Sequence, residues 1–194
     1  MLAPISKDLG DVQGVASRSL GCAYLDLKPV EARLWAVWSE RGLQSLCWGA
    51  AGATVQEVIG AGAPAQAELP EPYRSVLEGY FAGDDVEPSS LPVDLAGTAF
   101  QIRVWNALRR IPRGAVKSYA AIANEIGSPR GMRAVGGANG RNPVAIVVPC
   151  HRVVQTGKSL GGYTGGVHLK RYLLGLEGCQ IVSDQVQPGQ LELI

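Results

Sequence analysis

SYAAIANEIGSPRGMRAVGGANG, running from Ser118 to Gly140, is the stretch on which the fold turns. Ser118 can cap a helix whose Tyr119, Ile122, Ala123 and Ile126 share one face, and Gly127 suits its C-terminal end. Only Gly127 and Ser128 then precede Pro129. Proline fits the first turn of a helix, so Ser128-Pro129 is expected to open a short helix through Arg130, Met132, Arg133, Ala134, Val135 and Ala138. Helix, tight turn and small-residue helix form a helix-turn-helix pattern. Arg130 and Arg133 stand among Gly131, Ala134, Gly136, Gly137 and Ala138, which lets the backbone approach a partner surface closely. The same composition also fits a helix packed tightly on its neighbour with two solvated arginines.

Upstream, Thr98 and Gln101 make a capping box, and Phe100, Val104, Leu108 and Ile111 recur at helical spacing until Pro112. Downstream, the apolar run Pro143 to Pro149 should be buried, and it delivers Cys150 directly into His151 and Arg152. A thiol beside imidazole and guanidinium sits in the electropositive setting of reactive cysteines. A buried, inert cysteine is the competing reading. Gly161 to Gly166 is too rich in glycine for helix or strand and carries Tyr163 and Thr164, as a lid over a pocket does. Val167 to Gly175 then reads as a helix with Leu169, Tyr172, Leu173 and Leu176 on one face. It closes at Glu177, one of only two acids between residues 97 and 178.

Charge divides the chain unevenly. Residues 1–96 hold 6 basic against 13 acidic side chains, residues 97–178 hold 12 against 2, and the remainder 0 against 2. A segment at +10 is the electrostatic footprint of a polyanion-binding surface, nucleic acid first. A basic face that merely balances the acidic half is the alternative. The acidic half reads as α+β: Cys22 to Leu27, Arg33 to Trp38 and Leu43 to Trp48 as an antiparallel sheet, with a turn at Glu40-Arg41-Gly42. Pro70 to Phe81 follows as a helix bearing Tyr73, Val76, Leu77 and Tyr80. Asp84 to Val93, broken by acids, Pro and Ser, reads as a linker. The expected division is an amino-terminal structural domain with linker over 1–93, a catalytic and nucleic-acid-binding domain over 94–180, and a tail over 181–194.

With 194 residues and 46% hydrophobic content the chain can fill a core, and no apolar run approaches the roughly 20 residues of a membrane span. Met1 to Lys7 lacks the pattern of an export signal, so a cytoplasmic location is expected. Cysteines at 22, 47, 150 and 179 show no C-x-x-C spacing, and the two histidines lie at 151 and 168, so neither disulfide scaffold nor metal site is signalled. Cys22 and Cys47 read as packing residues, Cys179 as an incidental thiol.

PCHRVV at 149–154 resembles the active-site motif of the O6-alkylguanine-DNA alkyltransferases, the methylated-DNA–protein-cysteine methyltransferases. SYAAIANEIGSP, MRAVGGANGRNP, GGYTGG and LLGLEG stand around it in that family's order, so the resemblance covers essentially all of residues 97–178. It implies a small amino-terminal α+β domain with a three-stranded antiparallel sheet, followed by a mostly helical winged-helix or helix-turn-helix-like catalytic domain. It makes Cys150 the acceptor thiol, His151 its base through a water, Glu177 the group orienting that histidine, and Asn142 a brace. Tyr119 would protonate the departing guanine; Thr164 would contact O6, Tyr163 wall the pocket, and the Val153 carbonyl meet the guanine amino group. Arg133 would enter the duplex in place of the extruded nucleotide, with Arg130, Gly131, Met132 and Ala134 along the minor groove. The partner implied is double-stranded DNA containing O6-alkylguanine, bound by a monomer that needs no metal or other cofactor.

Three classes of function fit parts of this pattern. Single-turnover transfer of an alkyl group onto Cys150 uses all of it. A non-catalytic helix-turn-helix regulator leaves Cys150, His151 and Glu177 without a role, and a cysteine hydrolase leaves the basic segment and the helix-turn-helix unused.

Overall fold

A computed structural model of the chain describes residues 18–187. Met1 to Lys7 and the end of the 181–194 tail lie outside the described residues. Strands β1 (Gly21–Leu27), β2 (Ala32–Ser39) and β3 (Gly42–Ala50) form an antiparallel sheet in that order. Alternation decides what each face of the sheet covers. Leu34, Ala36 and Trp38 of β2 enter the main core, whereas Trp35 and Val37 face the other way, onto Val55 and Val58 of the short α1 (Val55–Val58). The expected turn before β3 carries Gly42 at φ +141°, and a Cβ there would lie 2.6 Å from the Pro92 carbonyl carbon. Glycine is therefore required by both conformation and space.

Helix α2 (Tyr73–Ala82) begins later than the apolar spacing alone suggests, because Pro70 and Pro72 precede it and Pro72 occupies its N-cap. Tyr73, Leu77 and Tyr80 are its buried residues. The Asp84 to Val93 stretch lacks regular structure apart from a 3-10 turn at Pro88–Ser90, yet it is bonded to the sheet. The Leu43 amide donates to the Pro92 carbonyl at 3.1 Å and the Asp94 amide to the Leu43 carbonyl at 2.8 Å.

In helix α3 (Ala99–Arg109) the Thr98–Gln101 capping box forms as the sequence predicts. The Trp105 indole donates to the Ala138 carbonyl at 2.9 Å and ties α3 to the later helix that carries Ala138. A short strand β4 (Lys117–Ser118) leads into α4 (Tyr119–Glu125), which the Ser118 hydroxyl caps by accepting from the Ala121 amide. Helix α5 runs Met132–Gly140, so its start at Ser128-Pro129 is corrected. The Gly131 amide closes a turn onto the Ser128 carbonyl at 2.7 Å. Proline's fixed φ suits the second position of such a turn as well as the first turn of a helix. Arg130 accordingly lies on the turn and Gly131 on the N-cap, not on the helix.

Val153–Val154 (β5) pairs in parallel with β4, and α6 (Val167–Leu176) follows. Ile181–Val182 (β6) and Gln185–Val186 (β7), at the start of the expected tail, form a hairpin whose Val186 is buried with Val116, Val154, Leu160, Leu174 and Cys179. The chain is α+β, a three-stranded antiparallel sheet followed by helices. One core runs through both halves, from Leu34, Leu46 and Leu77 to Val104, Ile122, Val144 and Cys150. Across it the Leu46 amide donates to the Pro143 carbonyl at 2.9 Å, and the Ala145 amide to the Leu46 carbonyl at 2.8 Å. Among the described residues no helix is long and apolar enough to cross a membrane.

Candidate active site

The run between Pro143 and Pro149 is buried and makes a tight reversal. Ile146 sits at φ +71° with its side chain fully buried. A β-branched residue there costs on the order of 1–3 kcal/mol, which the surrounding apolar contacts and the bonds to Leu46 offset. The Asn142 side chain spans the reversal. Its Oδ1 accepts from the Val144 amide at 3.0 Å, while its Nδ2 donates to the Val148 carbonyl at 2.7 Å and to Cys150 Sγ at 3.1 Å. Pro149 then feeds a 3-10 turn of Cys150, His151 and Arg152, all buried. An amide N–H thus faces the sulfur, where it favours negative charge.

His151 is fully buried, with Nε2 2.9 Å from Glu177 Oε1. A carboxylate only accepts, so Nε2 carries the proton and Nδ1 keeps its lone pair. Nδ1 is buried with no hydrogen-bond partner among the described residues. Burial lowers the imidazole pKa, with Glu177 opposing, so the ring is neutral at neutral pH and Nδ1 is free to take a proton. Glu177 stands at the C-cap of α6. Burial pushes its carboxyl up, but His151 and Arg152 outweigh that and hold it well below the usual carboxylate range.

Arg152 does not serve as the thiol's cationic neighbour, as its place in the sequence suggests. Its Nε and Nη2 donate to Glu177 at 3.0 and 2.9 Å, both terminal nitrogens reach Glu87, and Nη1 donates to the Ile111 carbonyl at 2.6 Å. A fully buried guanidinium needs acceptors for its donors, and these supply them. Tyr80, from α2, adds its hydroxyl to Glu177 Oε1 at 2.8 Å.

Tyr119, Met132, Arg133, Gly136, Gln155 and Thr156 line an open groove of about 500 Å³. Arg130, Met132, Arg133 and Ala134 are exposed beside it. The Tyr119 phenol is pushed up by burial and then by Cys150, so it is close to the thiol and stays protonated at neutral pH. Gln155 and Thr156 carry no sequence signal beyond a polar turn, and sequence reasoning missed them.

The Gly161 to Gly166 loop is pinned at both sides of the site. Tyr163 accepts from the Trp48 indole at 3.1 Å, and the Thr164 hydroxyl donates to the Gly140 carbonyl at 3.3 Å, at the end of α5. Gly165 packs so closely that a Cβ would lie 2.8 Å from the Trp48 ring. Burial, then Cys150, push the Tyr163 phenol well up, placing it by the thiol.

The Val153 carbonyl accepts from Lys170 Nζ at 2.5 Å, as does the Leu160 carbonyl. Lys170 is fully buried, and burial brings its pKa down to about 8, with Cys150 opposing. It lies one helical turn before Leu174 and two before Glu177, beside the stripe of Leu169, Tyr172, Leu173 and Leu176 and not on it, so sequence reasoning missed its burial. Unfolding restores an ordinary lysine pKa of about 10.4, so between these values the unfolded chain binds more protons. The wild type should therefore gain stability relative to Lys170→Met as pH rises from about 8 to 10.4, read by urea melts across that range. A difference that stays flat would deny the ammonium its buried place. Among the described residues no group of three His, Cys, Asp or Glu is placed to hold a metal ion.

The family model described as the DNA binding domain of 6-O-methylguanine DNA methyltransferase matches residues 99–179. Curated relatives called methylated-DNA–protein-cysteine methyltransferase include one from Mycobacterium tuberculosis, 52% identical over 108 residues, 56% of this chain and 65% of the relative. Another, from Methanosarcina acetivorans, is 54% identical over 104 residues, 53% of this chain and 65% of the relative. These sequence matches span just under two thirds of the relatives' length. A solved structure of Mycobacterium tuberculosis OGT in complex with DNA superposes with TM-score 0.70 at 37% identity, covering 81% of this chain and 92% of that one. The O6-methylguanine-DNA methyltransferase of Pyrococcus kodakaraensis superposes with TM-score 0.61 at 27% identity, covering 81% and 98%.

Proposed function

The chain belongs to the 6-O-methylguanine DNA methyltransferase family, and from that we propose that it repairs double-stranded DNA by moving the alkyl group of O6-alkylguanine onto its own Cys150. The observation that carries this reading is that Cys150, held by Asn142, and His151, held by Glu177, share one buried turn near Tyr119 of the groove. In it, Cys150 Sγ attacks the alkyl carbon while its proton passes through a water to His151 Nδ1. The carbon–oxygen bond breaks, a carbon–sulfur bond forms, and Tyr119 gives its proton to the departing guanine. The thioether has no route back to a thiol, so each molecule acts once. It acts as a monomer in the cytoplasm and draws on no cofactor.

The basic segment supports binding to the duplex backbone, and α4 with α5 serves as the helix-turn-helix. Entry is by the minor groove, whose degenerate code suits a protein that must ignore sequence. Arg133, exposed on the first turn of α5, takes the place of the extruded nucleotide, with Arg130, Gly131, Met132 and Ala134 against the groove. Tyr163 walls the base pocket, Thr164 meets O6, and the Val153 carbonyl meets the guanine amino group while Lys170 holds its second lone pair. Exposure to a methylated-guanine duplex should add the mass of one methyl group per molecule, on the Cys150 peptide and nowhere else. No mass gain would point to a DNA-binding regulator, and turnover without lasting mass change to a hydrolase.

A further inference from the structure

Tyr80 lies in the half of the chain whose sequence carries no catalytic pattern, and its stripe on α2 reads as plain core. Its ring is fully buried, and its hydroxyl donates at 2.8 Å to Glu177 Oε1, 97 residues away. That oxygen is also the one that receives His151 Nε2. We propose that Tyr80 is a positioning residue for the transfer reaction, acting through Glu177 to set the basicity of His151, so that the amino-terminal half completes the active site. The proposal rests on the transfer chemistry argued above.

Tyr80 and His151 compete for the charge on one carboxylate oxygen. With the tyrosine donor gone, more of that charge falls on the His151 N–H, the imidazolium is held more firmly, and Nδ1 takes up its proton at a higher pH. The base is then lost earlier on acidification. Burial, and next the charge of Glu177, keep the Tyr80 phenol well above its usual range, so it remains a donor wherever the reaction runs. The other charged and titratable groups around these residues are Arg152, braced by Glu87; Lys170 from α6; Arg113, 5.4 Å above the Tyr80 ring; the Cys179 thiol beyond Glu177; and Tyr163 with Cys150 on the far side. None of them donates to Oε1 in place of Tyr80 except Arg152, which is already bound there.

Tyr80→Phe removes the hydroxyl and keeps the ring. In the full chain, the rate of Cys150 modification is measured from pH 5 to pH 9 with two probes, an O6-methylguanine duplex and iodoacetamide. The expected result is an acidic limb moved to higher pH with both probes. The loss should be roughly tenfold at the acid end, the scale of one hydrogen bond to a carboxylate, and should close toward the alkaline end. In a Glu177→Gln background the same change should leave the limb where it is, because the coupling runs through the carboxylate. An unmoved limb, a loss equal at every pH, or an unchanged effect without Glu177 would overturn the proposal and reduce Tyr80 to packing. If wild type reacts with iodoacetamide but never with the duplex, the transfer reading fails, while the iodoacetamide limb still decides the role of Tyr80.

Discussion

Cys150→Ala abolishes alkyl transfer from a methylated duplex and leaves duplex affinity within about twofold of wild type, since backbone binding is governed by phosphate contacts. In the proposed transfer the sulfur is the atom that forms the new bond, and among the described residues no second thiol shares its setting. Cys22 is buried in the sheet with its thiol on the Pro64 carbonyl, and burial pushes Cys179 up to about 11. Removing Sγ deletes only one partner of Asn142, which keeps its bonds to Val144 and Val148, so the turn is expected to hold. Affinity comes instead from the exposed arginines around α5, and it should fall by roughly 0.9 log unit per log unit of salt for each phosphate neutralised. Intact-mass analysis and fluorescence anisotropy across a salt series read the two halves of this expectation. Transfer surviving in the variant would move the nucleophile elsewhere; a parallel collapse of affinity would make the cysteine a structural element.

Glu177→Ala should cost on the order of 3–5 kcal/mol of stability, the usual result of stripping one partner from a buried charged network. The carboxylate is fully buried, and its loss strands the Arg152 guanidinium, the His151 Nε2–H and the Tyr80 hydroxyl at once. Glu87 still faces Arg152, which keeps the loss from rising further. The penalty also depends on pH. In the folded chain the carboxyl titrates well below its unfolded value of about 4.3, so its contribution is complete above that value and drains away as pH falls below it. Urea melts at neutral pH and in acid should therefore show the gap between wild type and variant narrowing in acid. A gap below about 1 kcal/mol at neutral pH would mean that the network adds little beyond surface ion pairs.

What the sequence makes legible is what neighbours in the chain decide. The Thr98–Gln101 box, the Ser118 cap and the stripes of α3, α4 and α6 are local signals, and each appears where its residues stand. His151 and Glu177, the latter at a helix end, also meet, at 2.9 Å. Local signals fail where two structures share one chemistry. Pro129 suits a turn as well as a helix start, and the bond from Gly131 to Ser128 decides for the turn. The run from Pro143 to Pro149 is rich in β-branched residues, yet it reverses at Ile146, with Leu46 paired to its first residues. Partners far apart in sequence were illegible altogether. Nothing in the pattern of α2 ties Tyr80 to Glu177, nor do the acids of the linker single out Glu87 as the partner of Arg152.

The pairing of Leu46 with Pro143 and Ala145 bears on how the molecule could be taken apart. The reversal that presents the thiol leans on a strand made far earlier on the ribosome, so the reactive centre matures only after the later segment has emerged and docked. A chain severed within Asp84 to Val93 would part Leu46 from the thiol-bearing turn and remove both backbone bonds between them. Reassembly would restore those bonds, and in the proposed transfer an O6-methylguanine duplex added afterwards would give up its methyl group to Cys150 of the reassembled molecules. The fold thus lends itself to fragment complementation read out by the proposed transfer.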